Sequence, residues 1–500
     1  MRPDNNKKRK SSLKWLILLT VIIGTFLGRL DQTIVNLALP KIIGDFGVSV
    51  SAAGWIATAY ILANAIFVPI WGKLGDTLGR KKVYIFGFSL FIVGSVLSGI
   101  AWNLPSLIIF RIIQAIAGSA DYPTAMAIVA ITFKEGKERA QALGIWSSSF
   151  AAATVFGPLL GGPLIDNFGW RSVFLINLPI GLIGILMAST YINESISEKK
   201  TQFFDWWGAT TLGGALAFLV LVLDKGLDWG WLSVNSLWCY FAITIFSLIF
   251  AKIEMSHPEP IIDFKFFKIP VFVNALLNNF IVFMGMMGSL FLIPIFAQTF
   301  LGYTATQSGY LFMPMALAMM LASPIGGRLV GKVEPRYVIA GSTVVASVGL
   351  FLFSVFLDPR STPWDIVFPL FIMAFGLGFG MAQRTNIIAS AVPHDEIGIA
   401  SGILALVRNI SGAFGIAIFG TILTKSIETN VLNLTKNSIL NISNPLEHAQ
   451  ATQLIMLKAQ ILSYSHVFVI SSIIVFVGAV AALWIKIEKD KITHEEVFVD

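Results

Sequence analysis

The stretch LPSLIIFRIIQAIAGSADYPTAM, residues 104–126, is apolar enough to cross a bilayer, yet it contains Arg111 and Asp121. A charge at membrane depth costs at least about 2.5–3.5 kcal/mol, so such side chains usually face a partner or a water-filled cavity. At about 100° per residue, four polar side chains share one face of this helix: Arg111, Gln114, Asp121 and Tyr122. The two charges lie about 15 Å apart along the helix axis. We therefore predict a membrane helix with a polar face that places charged groups at two different depths in the membrane.

The rest of the chain has the composition of an integral membrane protein. Of its 500 residues, 56% are hydrophobic and only 13% are charged, whereas soluble domains contain about 25% charged residues. A window of about 19 residues identifies about fourteen apolar spans. These spans are 15–38, 53–72, 83–101, 104–131, 140–163, 170–190, 206–224, 236–254, 271–298, 307–330, 337–357, 364–390, 400–422 and 464–486. The predicted fold is an all-α membrane protein with 14 transmembrane helices.

The distribution of Lys and Arg predicts the orientation of these helices. If the N-terminus is inside, most of the Lys and Arg outside the spans fall in the inner segments, which places both termini in the cytoplasm. The first apolar run continues past Asp31 without a small-residue cleavage site, so we interpret it as a retained helix rather than a signal peptide. We assign the net charge of +7 to membrane orientation rather than to nucleic-acid binding.

Weak internal similarity predicts two halves. The segment GKLGDTLGRKK (72–82) follows the second span and GGRLVGKVEPR (326–336) follows the tenth, at an offset that a second pair of segments repeats. Two six-helix halves that flank a site near the midplane are typical of secondary transporters. The predicted organisation is a basic tail (1–14), an N-terminal half (15–190), a linker with two extra helices (191–255), a C-terminal half (256–486) with a long extracellular loop (424–463), and a cytoplasmic tail (487–500).

The segment 72–82 resembles the signature loop of the major facilitator superfamily, with Gly72, Asp76, Gly79 and Arg80 in register. Glycine allows a tight turn and close approach of helices. The aspartate can pair with a basic residue or with the N-terminal end of a helix. Cations hold such a loop at the anionic inner surface of the membrane.

Three further motifs resemble the fourteen-helix drug:proton antiporter branch of that superfamily, the QacA/EmrB type. They are LDQTIVNLALP (30–40), WRSVFLINLPIG (170–181) and GPLLGGPLI (157–165). The last resembles the antiporter motif of the fifth helix, a proline-bent face lined with glycine that lets helices pack closely. Its residues are Gly157, Pro158, Gly161 and Gly162. Generic glycine packing, which would also serve a uniporter, is the alternative interpretation.

The resemblance makes Arg111 a proton-coupling residue, a fixed cation beside an acid that gains and loses a proton. Only Asp31 and Asp121 lie well inside a span, so they are the candidate acids. For Asp31 two interpretations stay open: proton coupling, or a fixed ion pair with Arg29 or Arg111. For Asp121 the alternative to coupling is an ion pair with an arginine that locks the helices.

The offset between the halves adds a hypothesis about the central cavity. It places Arg384 near the counterpart of Asp121, so the two side chains would face each other. We predict a substrate cavity lined by Gln114, Tyr122, Arg384 and Asn386. The spans contain four arginines and two aspartates, an excess of cations that leaves room for anionic or zwitterionic substrates, unless Arg29 and Arg408 serve only in helix packing.

The sequence therefore predicts a proton-coupled efflux transporter that exports hydrophobic small molecules across the cytoplasmic membrane by alternating access. The alternative is an exporter or symporter of a specific metabolite, lipid or organic anion. No GxxxxGK[ST] segment is present, and no catalytic or metal-binding arrangement stands out, so we expect neither an enzyme nor a metal site. We expect the proton gradient to be the energy source, without a cofactor. The expected partners are the lipid bilayer, protons and a small-molecule substrate, but not nucleic acid. We expect the monomer to be functional.

Overall fold

The computed structural model describes residues 4–133, 137–195, 205–257, 260, 262, 264–329, 332–358, 360–392, 397–437 and 445–485. Some side chains within these ranges, including that of Asp76, lie outside the described part. Within it, every regular element is a helix. The helices are α1 (Asp4–Phe46), α2 (Val50–Leu78), α3 (Arg80–Gly99), α4 (Leu104–Gly118), α5 (Asp121–Thr132), α6 (Lys137–Phe168), α7 (Ser172–Leu175), α8 (Asn177–Tyr191), α9 (Trp206–Trp229), α10 (Val234–Ser256), a 3₁₀ helix (Phe264–Lys268), α11 (Pro270–Phe300), α12 (Ala305–Tyr310), α13 (Met313–Gly327), α14 (Pro335–Phe356), α15 (Pro363–Ser390), α16 (Ile397–Asn437) and α17 (Pro445–Ala482).

The prediction of fourteen membrane helices is confirmed. Thirteen segments of the described chain are long and apolar enough to cross a membrane. The fifth predicted span, 140–163, is occupied by α6, which has 32 residues. In an apolar solvent a helix satisfies its own backbone hydrogen bonds, so long apolar runs can span a bilayer only in this form or as closed barrels.

The helices pack into two groups. In the C-terminal half, α14 packs against α15 and α17, while α11 packs against α16 and α17. In the N-terminal half, α1 packs against α6 and α8, and α3 packs against α4 and α8. The two central helices α9 and α10 pack mainly on each other, and α9 also contacts α2 and α16. This is the fourteen-helix arrangement that the sequence predicted.

The fourth predicted span is interrupted between its two charged residues. Helix α4 ends at Gly118 and α5 begins at Asp121, with a turn at residues 119–120. Pro123 follows directly, and a proline has no N–H to donate to the carbonyl four residues earlier, with which its ring also clashes. The carbonyl of Ile116, just before the turn, accepts hydrogen bonds from the Trp71 indole at 2.6 Å and from the Ser119 hydroxyl at 2.7 Å. Arg111 and Asp121 are therefore on separate helices.

The prediction of a long loop over residues 424–463 was wrong. Helix α16 continues to Asn437, and α17 begins at Pro445, so most of the segment extends the last two membrane helices. No glycine or proline lies between Thr421 and Asn437, so nothing in the chain breaks α16 where its composition becomes polar. The Asn430 amide donates to the Ser463 hydroxyl at 2.9 Å and joins the two extensions.

Candidate functional site

A buried ion pair joins the first and fourth spans. Nη1 of Arg111 lies 2.5 Å from Oδ2 of Asp31, and each residue is only 1% exposed. Asp31 is on α1 and Arg111 on α4, at the similar depth that the sequence predicted. Of the two partners considered for Asp31, the structure brings it to Arg111.

Two amides complete the surroundings of the Asp31 carboxylate. Nε2 of Gln114 and Nδ2 of Asn177 each donate to Oδ1 of Asp31 at 3.0 Å. Gln114 also accepts from Nη1 of Arg111 at 2.8 Å, so one side chain bridges both members of the ion pair. Asn177 donates as well to the Ser95 hydroxyl, which itself donates to the Phe174 carbonyl at 2.8 Å. The carboxylate is thus held by three donors from α4 and α8.

Aromatic rings cover the Arg111 guanidinium. Its Cζ lies 3.9 Å from the centre of the Tyr60 ring and 5.5 Å from that of Phe174. A guanidinium over an aromatic face is stabilised by the ring quadrupole, most strongly where water is excluded. Sequence reasoning missed Tyr60 and Asn177; the second lies in the quoted motif WRSVFLINLPIG, but α8 had no predicted contact with Asp31.

Asp121 lies in a different environment, at the N-terminal end of α5. Its Oδ1 atom is buried and has no hydrogen-bond partner among the described residues. Together with Tyr84, this carboxylate occupies the space beside Gly24 of α1. Arg29 of α1 interacts electrostatically with both Asp121 and Tyr122. Asp121 is therefore a half-buried acid, which has a hydrogen bond with Thr25 but is held less completely than Asp31.

The remaining cavity residues are divided between the halves. Tyr122 is 41% exposed, and its ring stacks at a tilt on Trp146, 5.4 Å away. Asn386 is exposed on α15. Arg384 is 2% exposed and donates to Asn278 at 3.1 Å and to Thr343 at 2.6 Å, both in its own half.

The structure does not bring Asp121 and Arg384 together. The hydrogen bonds of Arg384 are with α11, α14 and α15, whereas Asp121 contacts α1 and α3 of the N-terminal half. The expected pairing assumed that the sequence offset between the halves also fixes side-chain direction. The local partners Asn278 and Thr343 satisfy the guanidinium instead.

The antiporter motif lies where the two halves meet. Gly157 and Gly161 pack against Thr33 and Ile34 of α1. On the adjacent face of α6, a Cβ added at Gly162 would collide with the backbone of Thr306 in α12.

The contact between α6 and α12 continues along both helices. A Cβ added at Gly309 would lie only 2.5 Å from the carbonyl oxygen of Pro158, which is too close for a side chain. The small residues of the motif therefore allow α6 and α12 to approach to backbone contact.

Asp166, which sequence reasoning missed, joins the halves by hydrogen bonds. Its Oδ1 accepts from the Ala305 N–H at 3.0 Å and its Oδ2 from the Thr306 N–H at 2.9 Å. Burial raises the pKa of this carboxyl, but hydrogen bonds from Thr306, Ala305 and Thr304 outweigh that effect and hold the pKa below its usual value. One further bond joins the halves, from the Gln298 amide to the Leu37 carbonyl at 2.9 Å.

All these contacts lie at one end of the molecule. The hydrogen bonds of Asp166 and Gln298 connect residues 15–190 with residues 256–486. They involve the ends of α1, α6, α11 and α12 that the Lys and Arg distribution predicts to be extracellular. These hydrogen bonds therefore join the halves at their predicted outer ends, in addition to the packing of α2 on α16.

The segment resembling the signature loop is helical over most of its length. Gly72 and Asp76 lie in the last turns of α2, and Gly79 makes the turn with φ of 107°, a backbone conformation that favours glycine. Arg80 begins α3 and donates its N–H to the Ser195 carbonyl at 3.0 Å. The Asp76 side chain is outside the described part.

Glu194 closes this turn, and sequence reasoning did not identify it. Its carboxylate accepts from the N–H groups of Lys81 at 3.0 Å and Lys82 at 3.2 Å. An acidic side chain at these N–H groups stabilises the first turn of α3. The segment after α8 is thereby attached to the start of α3. Among the described residues, no group of three His, Cys, Asp or Glu side chains could hold a metal ion.

Comparison with known proteins extends these observations to the whole chain. The family model described as Major Facilitator Superfamily matches residues 21–416. The multidrug transporter protein MdtP of Bacillus subtilis is 34% identical over 423 residues, which are 84% of this chain and 77% of that protein. The multidrug export protein EmrB of Haemophilus influenzae is 33% identical over 403 residues, 80% of this chain and 79% of that protein.

A solved structure has the same fold. It is a bacterial homologue of the human lysosomal transporter Spinster in an inward-facing, unoccupied conformation. The TM-score is 0.68 at 18% sequence identity, and the alignment covers 95% of this chain and 99% of that chain. The similarity to proteins with names of transporters therefore extends over most of the molecule.

Proposed function

Because this chain belongs to the major facilitator superfamily, we propose that it is a drug:proton antiporter that exports hydrophobic small molecules across the cytoplasmic membrane. The observation that carries the proposal is the buried Asp31–Arg111 ion pair with its amide donors. Buried charges are costly and mark ion or proton pathways in membrane helices. The curated relatives MdtP and EmrB have names that state multidrug transport and export.

Protonation of Asp31 would change the contacts that hold three helices together. The ionised carboxylate accepts from Arg111, Gln114 and Asn177. A proton on either oxygen removes the charge that attracts Arg111 and turns one acceptor into a donor. The contacts of α1 with α4 and α8 would weaken, so protonation is coupled to helix positions.

Asp121 supplies a second acid in the same half of the molecule. Because its Oδ1 has no hydrogen-bond partner among the described residues, protonation of Asp121 would disrupt fewer hydrogen bonds than protonation of Asp31. Arg29 lies close enough to attract the ionised form. We assign both carboxylates to proton coupling, with Arg111 as the fixed cation beside Asp31.

The joined ends of α6 and α12 support an inward-facing state. If these ends are extracellular, the contacts of Asp166 and Gly162 close the outer side of a central site. Alternating access requires that such contacts break when the halves rock to open outward. In this proposal both termini are cytoplasmic, the monomer is the functional unit, and the proton gradient supplies the energy without a cofactor.

The test is proton release in liposomes that contain the purified protein. Addition of a transported dye is expected to release protons, and a panel of unrelated dyes is expected to leave an efflux-deficient host in an uncoupler-sensitive manner. Dye export that an uncoupler does not affect contradicts proton coupling. Export of a single compound supports the alternative, a transporter of one specific metabolite, lipid or organic anion.

A further inference from the structure

Two arginines of the C-terminal half lie close together in the interior. Arg384 on α15 donates through Nε to Oδ1 of Asn278 and through Nη2 to the hydroxyl of Thr343. Arg408 on α16 donates through Nε to Oδ1 of Asn279 at 3.1 Å. Neighbouring asparagines of α11 therefore position the two guanidinium groups.

Neither arginine has an acidic partner in the part of the chain that the structure describes. Every hydrogen-bond acceptor of Arg384 and Arg408 is a neutral amide, hydroxyl or carbonyl oxygen. The charge that acts on Arg384 is that of Arg408, and it is repulsive. Two like charges in a low-dielectric interior are unfavourable unless an anion accompanies them. This contrasts with Arg111, which has its carboxylate in Asp31.

Arg408 is the member of the pair that a ligand can reach. It is half-buried, whereas Arg384 is 2% exposed. Its Nη2 lies 3.4 Å from the hydroxyl of Thr385, an exposed residue of α15. Helix α16, which carries Arg408, and helix α11, which carries its partner Asn279, both also contact helices of the N-terminal half.

An aromatic ring adjoins the same guanidinium. The Cζ atom of Arg408 lies 4.9 Å from the centre of the Phe283 ring. One turn earlier on α11, Phe280 packs edge to face on Phe414 of α16, with ring centroids 5.6 Å apart. A cation beside aromatic surfaces matches a ligand with an anionic group on an aromatic body, because the guanidinium binds carboxylate by paired N–H donors and the rings bind the apolar part.

We propose that Arg408, with Arg384 behind it, binds the carboxylate of an aromatic organic anion, and that such anions belong to the substrates of this transporter. The second half of this inference rests on the proposed export function, while the binding site stands on the arginine geometry alone. Arg408 makes the direct contact, and Arg384 contributes positive potential from its buried position.

The test uses three naphthalene probes that differ only in charge: naphthoate, naphthamide and naphthylmethylammonium. Binding to the purified full chain is measured by calorimetry without a proton gradient. Wild-type protein is expected to bind naphthoate more tightly than the other two. Arg408→Gln is expected to weaken naphthoate binding about tenfold or more, since a charge-assisted hydrogen bond is lost, and to leave naphthamide unchanged. Arg408→Lys keeps the charge and is expected to retain most of the naphthoate affinity.

A second variant tests the site without removing an arginine. Thr385→Asp places a carboxylate beside Arg408, so it is expected to compete with naphthoate and to weaken its binding more than the matched, uncharged Thr385→Asn variant does. The control for charge removal elsewhere is Arg336→Gln, which breaks an ion pair with Glu334. Three outcomes would overturn the proposal. They are an equal loss of affinity for naphthoate and naphthamide in Arg408→Gln, unchanged naphthoate affinity in that variant, and no naphthoate binding to the wild-type protein.

The same samples separate this inference from the export function. Proton release on naphthoate addition is recorded with liposomes of the wild-type protein. Arg408-dependent binding with proton release supports both proposals. Arg408-dependent binding without proton release for any probe or dye supports the anion site and contradicts the proposed antiport.

Discussion

Arg111 and Asp31 form an ion pair within a shell of neutral donors and aromatic rings, rather than an isolated salt bridge. The Arg111 guanidinium has Asp31 at 2.5 Å on one side and the Tyr60 ring at 3.9 Å on another. Gln114 contacts both charged groups, so a change in either one is transmitted to it. The pair joins α1 to α4, and Asn177 extends the connection to α8. A single protonation at Asp31 therefore acts on three helices.

Asp31→Asn is expected to abolish substrate-induced proton release and to lower stability. Asparagine keeps the shape of the side chain but leaves Arg111 as an uncompensated buried charge, which costs about 3 kcal/mol. Proton release in liposomes and the thermal unfolding midpoint in detergent measure the two effects. Retention of wild-type proton release by a folded Asp31→Asn protein would exclude this carboxylate from coupling.

Asp121→Asn is expected to abolish proton-coupled transport with little effect on stability. Oδ1 of Asp121 has no hydrogen-bond partner among the described residues, and the amide oxygen of asparagine can still accept the hydrogen bond with Thr25, so the substitution should cost less than about 1 kcal/mol. The two isosteric variants are controls for each other, since they share the chemistry of the change and differ in the contacts that are lost. Normal pH-driven efflux by Asp121→Asn would refute its coupling role. Because the hydrogen bonds that Arg384 makes with described residues are within its own half, Arg384→Lys is expected to leave residual coupling.

The membrane helices could be predicted because the hydropathy of a segment follows from its composition. The two features that were not predicted, the extension of α16 and the break before Asp121, have local causes. The polar continuation of α16 to Asn437 has no apolar signal, but it also has no residue that would stop a helix. The break before Asp121 was not predicted, although Pro123 explains it. A window of hydropathy averages over both features.

Only part of the candidate site could be predicted from the sequence, namely the contacts between rare charged residues that lie at a similar depth in the membrane. Asp31 and Arg111 are rare charges at similar depth, and they pair. Asn177 and Tyr60 are ordinary residue types, and nothing in their spacing indicates that α8 and α2 pack around the pair. The Asp121–Arg384 pairing was expected from sequence offset, which does not specify the direction of a side chain.

Gly162→Ala is expected to shift the protein away from the state with joined outer ends. The new Cβ would collide with the Thr306 backbone, which cannot rotate away as a side chain would. Accessibility of an outer-cavity cysteine to a membrane-impermeant reagent is expected to increase, and transport to fall. Gly44→Ala is the matched control, because a Cβ there meets nothing within 4 Å. Equal accessibility in the two variants would show that the α6–α12 approach does not control closure.

The contact between Asp166 and α12 is expected to weaken in acid. The hydrogen bonds it accepts hold the pKa of the carboxyl below its usual value despite the opposing effect of burial, so the ionised form is favoured while the ends are joined. A group with a depressed pKa contributes its stabilisation above the usual pKa and loses it as the pH falls through the lowered value. The joined ends should therefore be unaffected at neutral pH and should separate when the external pH falls below about 4.

Asp166→Asn is expected to reproduce this separation at neutral pH and to remove its pH dependence. An amide offers one neutral acceptor where the carboxylate offers two charged ones to Ala305 and Thr306, a loss of about 1 kcal/mol or about fivefold in the population of the joined state. Fluorophores at Phe168 and Tyr310 report the distance between the ends of α6 and α12. The neighbouring Asn167→Ala variant, which loses only a bond within α6 to the Pro163 carbonyl, should keep the wild-type acid response. If Asp166→Asn retains that response, another titrating group controls the outer contact and Asp166 only positions it.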